Sequence, residues 1–126
     1  AVLVEGDPAP VAEALAARLA ELPSLPALDE RAVLPVHTVE TARGLAEHLR
    51  KRAAGTRVWL GANGIVDELG DGSAVLRPAV HQVGDPFAEQ IGAELPFPCV
   101  WGGAGVGGAG LGALRETMGV AALHGE

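Results

Sequence analysis

The glycine-rich segment Gly105–Gly110 has residue types and a spacing that could hold a dinucleotide. Its sequence, Gly-Val-Gly-Gly-Ala-Gly, fits the pattern G-x-G-x-x-G, follows an apolar run and precedes a helical pattern. Glycines at this spacing let the backbone approach a pyrophosphate at the amino end of a helix. The acidic residue that completes the pattern would fall at or beyond Glu126. A glycine-dense stretch also produces this spacing by chance, so a surface loop is the alternative interpretation.

The one cysteine and the four histidines show no spacing typical of catalysis or metal binding. Cys99 lies inside the apolar run Phe97–Trp101, which predicts a small buried hydrophobe with an unreactive thiol. No C-x-x-C or H-x-x-x-H pattern relates the histidines, which are therefore interpreted as structural or solvated residues. They are His37, His48, His81 and His124.

The acidic and hydroxyl side chains show no spacing typical of a metal site or a catalytic nucleophile either. Asp67, Glu68 and Asp71 form an acidic cluster, but their spacing differs from that of an EF-hand loop and favours a solvated turn. Neither Ser24 nor Ser73 lies in a nucleophile-elbow context. The sequence therefore predicts no catalytic residue and no metal ligand within these 126 residues.

Length, charge and hydropathy restrict the class of protein. The 126 residues predict a single α/β domain over 1–126, and a net charge of −7 argues against binding to nucleic acid or to an anionic membrane. The uncharged run from 95 to 114 is rich in glycine and proline, which disfavours a spanning helix. One cysteine and no recognisable signal peptide predict a cytoplasmic protein.

Apolar runs, helical stripes and turn residues predict the order β-α-α-β-β-β-α-β. Asp7-Pro8 should start the first helix and Thr38 should cap the second, which Gly55 should end. The strands are nearly continuous apolar runs, typical of a sheet covered on both faces. We therefore expect a mostly parallel sheet with flanking helices. The other predicted segments are strands at Ala1–Val4, Arg57–Gly61, Val75–Val83 and Phe97–Trp101, a hairpin arm or loop at Ile65–Leu69, a glycine loop at Gly102–Gly112, a helix at Leu114–Met118 and a strand at Val120–Leu123.

The whole pattern resembles part of the catalytic domain of the NAD(P)-dependent aldehyde dehydrogenase superfamily. The resemblance rests on landmarks in the family's order, spread over almost the whole chain. These are the strand Ala1-Val-Leu-Val that follows the catalytic-cysteine motif, the helix Asp7–Leu22, the helix-to-strand passage Leu45–Gly61, the strand Leu76–His81, the segment Glu94-Leu-Pro-Phe-Pro in the place of the E-x-F-G-P motif, and the step Arg115–Leu123.

The resemblance implies a role for two residues. In the family, the glutamate of the motif holds the ribose hydroxyls beside the nicotinamide, and the aromatic residue packs near the nicotinamide. By position, Glu94 takes the ribose role, for which a carboxylate is suited because charged acceptors make strong hydrogen bonds. Pro96 occupies the place of the aromatic residue, and Phe97 follows it by one position. NAD or NADP is the implied cofactor, bound in part by Glu94 and Phe97.

The implied reaction needs parts that these residues do not include. A cysteine nucleophile, a glutamate base and a dinucleotide-binding domain all precede the strand that Ala1–Val4 resembles. We therefore expect a fragment of a larger catalytic domain, with the remainder of the enzyme or another subunit as partner in a homo-oligomer. Two alternatives stay open. One is a non-catalytic interaction module of the same fold, and the other is a small nucleotide-binding domain that uses Gly105–Gly110.

Overall fold

The computed structural model describes residues 1–85, 88–92, 95 and 97–105, which form an α/β structure as the sequence predicts. The elements follow one another as β1 (Val2–Glu5), α1 (Ala9–Ala20), β2 (Val36–Thr38), α2 (Val39–Arg52), β3 (Arg57–Leu60), β4 (Val66–Glu68), β5 (Ser73–Leu76), β6 (Ala79–Gln82), a 3-10 turn (Glu89–Gly92) and β7 (Cys99–Gly105).

The described strands form two sheets. One has the order β1-β7-β6-β3, in which β7 is parallel to both β1 and β6 while β3 is antiparallel to β6. The other has the order β2-β5-β4 and is antiparallel throughout. The expectation of a mostly parallel sheet is therefore not confirmed for these residues, where the larger sheet is mixed. A turn of a few residues, such as the one between β4 and β5, can join only antiparallel neighbours.

Both helices begin close to where their capping residues predict. The Asp7 carboxylate accepts a hydrogen bond from the Ala9 N–H at 3.0 Å, but Pro8 rather than Asp7 is the N-cap residue and α1 starts at Ala9. The Thr38 hydroxyl accepts from the Thr41 N–H at 3.2 Å, which confirms the cap of α2. Gly55 adopts φ +81° three residues after α2 ends, the left-handed conformation expected of a helix stop.

Pro78 divides the extended run Val75–Val83 between the two sheets. Proline lacks the N–H that a continuous ladder needs, so the chain leaves the antiparallel sheet after Leu76 and enters the mixed sheet at Ala79. The Arg77 side chain donates to the Ala20 carbonyl at 3.1 Å, which joins this crossing to the carboxyl end of α1. A guanidinium at this end also complements the helix dipole.

Both faces of the mixed sheet are covered, as continuous apolar strands predict. Ala12 and Ala16 of α1 pack with Val80 on one face. Successive residues of a strand point to opposite faces, so Ala79 belongs to the cluster on the other face. That larger cluster joins α2, β5, β6 and β7 through Ala42, Leu49, Ala74, Leu76, Ala79 and Trp101.

The glycine loop expected from Gly102 onward is wrong at its start, because β7 continues to Gly105. A Cβ atom on Gly103 would lie 3.1 Å from Val83 Cγ2, so the close approach of the chain favours glycine inside this strand. Gly105, the first glycine of the G-x-G-x-x-G pattern, pairs with Glu5 as the last residue of β7. The rest of that pattern, the helix Leu114–Met118 and the strand Val120–Leu123 lie outside the described residues.

Candidate functional site

The starts of β1 and β7 lie at one edge of the mixed sheet. The two strands are parallel, with Val2 opposite Gly102, and β7 begins at Cys99. Parallel strands run in the same direction, so Val2 and Cys99 begin their strands at the same edge. Glu94, the predicted ribose ligand, precedes β7 but lies outside the described residues. Phe97 is 7% exposed and belongs to the larger core cluster, and its contact with a nicotinamide stays a prediction.

Cys99 has the environment of an unreactive thiol, as its place in an apolar run predicts. It is partly buried and packs against the larger core cluster. Burial raises the pKa of the Cys99 thiol to about 12. The thiol is therefore protonated at neutral pH, and Cys99 is a poor nucleophile.

A cavity of about 540 Å³ lies between α2 and the segment from β3 to β4. Its size is within the range of small-molecule sites, roughly 300–1,000 Å³. The walls are mostly apolar, and Val58 remains 38% exposed although it is a large hydrophobic side chain. Seven apolar residues supply these walls: Ala46, Leu49, Ala53, Val58, Ala62, Ile65 and Val66.

A glycine turn shapes the end of this cavity. The Gly64 N–H donates to the Gly61 carbonyl at 3.1 Å, and the two glycines have φ +106° and +101°. L side chains rarely adopt these angles, so the tight return from β3 depends on glycine at both positions. A Cβ atom on Gly61 would also lie 3.0 Å from Ile65 Cγ2. The turn therefore brings Ile65 against the core beside the cavity.

His81 contributes to the lining from β6 and is 5% exposed. Its Nδ1 lies 3.0 Å from the Thr56 hydroxyl oxygen, and that hydroxyl also lies 2.7 Å from the Ala53 carbonyl. The hydroxyl has one proton, which the carbonyl accepts, so Nδ1 carries the imidazole proton and donates to Thr56. Burial lowers the pKa of His81, and the neutral ring lies 5.1 Å from the Trp101 ring, centroid to centroid. The remaining ring nitrogen, Nε2, is buried and finds no hydrogen-bond partner among the residues that the structure describes.

Charged side chains of α2 stand at the rim. Arg43 pairs with Glu68 of β4 through one guanidinium nitrogen, Nη2. Both carboxylate oxygens of Glu47 accept from Arg50, at 2.8 and 2.7 Å, and Lys51 lies 3.7 Å from the same carboxylate. The hydrogen bond from Arg50 is the main reason that the pKa of Glu47 falls to about 2. Glu47 is therefore ionised and already paired at neutral pH.

The other residues considered in the sequence do not join this cavity. His37 lies on β2 and His48 is exposed on α2. Asp71 accepts from the Ser73 N–H at 2.9 Å, which is the local pairing of a turn. Across the described part of the chain, no cluster of histidine, cysteine and carboxylate side chains could hold a metal ion. His124 lies outside the described residues.

The sequence interpretation did not identify the cavity. His81 itself gave a usable signal, because it is a titratable residue inside the apolar strand Ala79–Gln82. Burial of such a residue indicates either a function or a specific partner. Arg43 gave no such signal. Its partner Glu68 is 25 positions away, and only the packing of α2 against β4 brings the two together.

None of the described helices is long and apolar enough to span a bilayer. Comparison with protein-family models, with curated proteins and with solved structures finds no match to this chain.

Proposed function

We propose that the chain is part of an NAD(P)-dependent aldehyde dehydrogenase, which oxidises an aldehyde to a carboxylic acid through a thiohemiacetal. One observation supports this more than any other. β1 and β7 are adjacent and parallel, so both strands begin at the same sheet edge. In the resemblance, the nucleophilic cysteine precedes the strand that β1 matches, and the ribose ligand Glu94 precedes β7 in the sequence. A hydride transfer needs these two groups close together.

The described residues do not supply the nucleophile that this reaction needs. The pKa of about 12 makes Cys99 unsuitable as the nucleophile. We therefore assign the nucleophile, the glutamate base and the dinucleotide-binding domain to the remainder of the enzyme or to another subunit of a cytoplasmic homo-oligomer. That remainder would also extend the parallel part of the sheet. Leu28 and Val33, 97% and 64% exposed, offer apolar surface for such a contact.

An activity assay on the full-length protein that contains these residues tests the proposal. Aldehydes of several chain lengths are added with NAD or NADP, and formation of the reduced cofactor is followed by absorbance. We expect aldehyde-dependent reduction. Glu94→Gln should raise the KM for the dinucleotide about tenfold, because the amide replaces a charged acceptor of ribose hydrogen bonds.

Glu89→Gln is the matched control. Glu89 is an exposed glutamate of the 3-10 turn, 3.9 Å from Arg52, and has no expected role with the cofactor. Its variant should keep the KM of the parent protein. Absence of aldehyde-dependent cofactor reduction under all these conditions would refute the assignment, and an equal effect of both variants would remove the ribose role of Glu94.

A further inference from the structure

The charge pattern around the cavity between α2 and the segment β3–β4 selects for an anion. Its lining includes three charged residues, Arg43, Glu47 and Arg50. Glu47 is the only acid among them, and both of its oxygens already accept from Arg50. An amine entering the cavity would therefore find no free carboxylate. The rim thus disfavours a cationic ligand.

Arg43 remains able to bind an anion. Its side chain is 67% exposed, and within the described residues its contact with Glu68 uses only Nη2, which leaves Nε and Nη1 as donors there. Exposed ion pairs contribute little to stability, so a ligand carboxylate can compete with Glu68 or share the guanidinium with it. A guanidinium also matches a carboxylate in shape, with two parallel N–H donors.

The apolar walls of the cavity favour an anionic ligand that also carries an apolar group. Ala46 and Leu49 of α2 face Val58 and Ile65 across the cavity, and the 38% exposure of Val58 leaves apolar surface that a ligand would cover. Transfer of such surface out of water favours binding. His81 adds a neutral ring to the lining.

We infer that this cavity binds a small monocarboxylic acid with an apolar body, whose carboxylate pairs with Arg43 at the rim and whose body lies against the apolar walls. The cavity lies beside β3, which β6 separates from β7 in the mixed sheet. It does not depend on a dinucleotide or on the proposed aldehyde oxidation.

Calorimetric titration of the full-length protein with phenylpropanoate, without any dinucleotide, tests the inference. The matched probe is phenylpropanol, which keeps the apolar body and lacks the carboxylate. We expect phenylpropanoate to bind with a millimolar or lower Kd, and phenylpropanol at least about tenfold more weakly. Equal affinities for the acid and the alcohol would overturn the assignment of a carboxylate site, and so would absence of binding by the acid.

Two pairs of variants locate the bound acid. Arg43→Gln should weaken binding of phenylpropanoate about tenfold, whereas Arg31→Gln, which removes an exposed arginine paired with Asp29 outside the cavity, should leave it unchanged. Ala46→Trp places a large ring in the cavity and should abolish binding. Ala14→Trp adds the same bulk to an exposed position of α1 and should not.

Circular dichroism of each variant confirms that it is folded before titration. If Ala46→Trp proves unfolded, the Arg43 and Arg31 pair decides the outcome without it. Unchanged binding in Arg43→Gln, or equal losses in Arg43→Gln and Arg31→Gln, would contradict the inference.

Discussion

Replacing Trp101 with alanine is expected to lower the free energy of unfolding by about 3–5 kcal/mol. Trp101 is 1% exposed and lies on β7, in the cluster that joins the mixed sheet to α2 and the antiparallel sheet. Its ring also packs against His81 at 5.1 Å. Truncation would leave a cavity between the mixed sheet, α2 and the antiparallel sheet, and the surrounding residues can collapse only partly into it. Urea unfolding followed by circular dichroism measures the loss.

Trp59→Ala is the control for this result. Trp59 is only half-buried on β3, where its indole N–H donates to Gln82 at 2.9 Å and Arg57 lies 4.1 Å above its ring. The same truncation should therefore cost clearly less at Trp59 than at Trp101. A loss at Trp59 equal to that at Trp101 would show that β7 is not at the centre of the fold.

Replacing Gly61 with valine is expected to cost about 2–4 kcal/mol, from backbone strain at φ +101° and from crowding by the new side chain. Its Cβ atom would lie 3.0 Å from Ile65 Cγ2 and 3.4 Å from Ala79 Cβ. Ile65 and Ala79 both belong to the larger core cluster, so neither can move freely. The midpoint and slope of urea unfolding give the change.

Gly64→Val separates the two contributions to that cost. Gly64 has nearly the same angle, φ +106°, but a Cβ atom there would meet nothing within 4 Å. It should show the backbone strain alone, about 1–2 kcal/mol. Losses of the same size at both glycines would mean that Gly61 is not packed against the core as described.

Short-range chemistry made the helices predictable. A hydroxyl at Thr38 and a carboxylate at Asp7 satisfy backbone N–H groups within three residues of their own position, so the sequence alone specifies the contact. The left-handed stop at Gly55 is likewise local. These signals place α1 and α2 to within one or two residues at their starts.

Strand pairing was harder to predict because its partners are distant in the chain. The sequence of Val75–Val83 reads as one extended run, and Pro78 marks an interruption without indicating that the halves enter different sheets. The glycines of β7 suggested a loop for a similar reason. Only the neighbouring strands show that Gly103 faces Val83 too closely for a side chain.

The cavity depends on such distant partners throughout. Its lining combines α2, the turn after β3 and His81 of β6, which the sheets and the larger core cluster bring together. Considered individually, Arg43 is an ordinary residue of an exposed helix face and Val58 is an ordinary residue of an edge strand. The common edge at which β1 and β7 begin is similar, because it follows from their parallel pairing rather than from either strand alone.

Nuclear Overhauser contacts between β1 and β7, in isotopically labelled protein, test the central claim most directly. The account predicts the pattern of a parallel pair, with amide and Hα contacts that place Leu3 beside Gly103 and Val4 beside Ala104. Strong Hα–Hα contacts of an antiparallel pair, or a different neighbour for β1, would contradict it. The two strands would then not begin at a common edge, and the support for an aldehyde-oxidising enzyme would be lost.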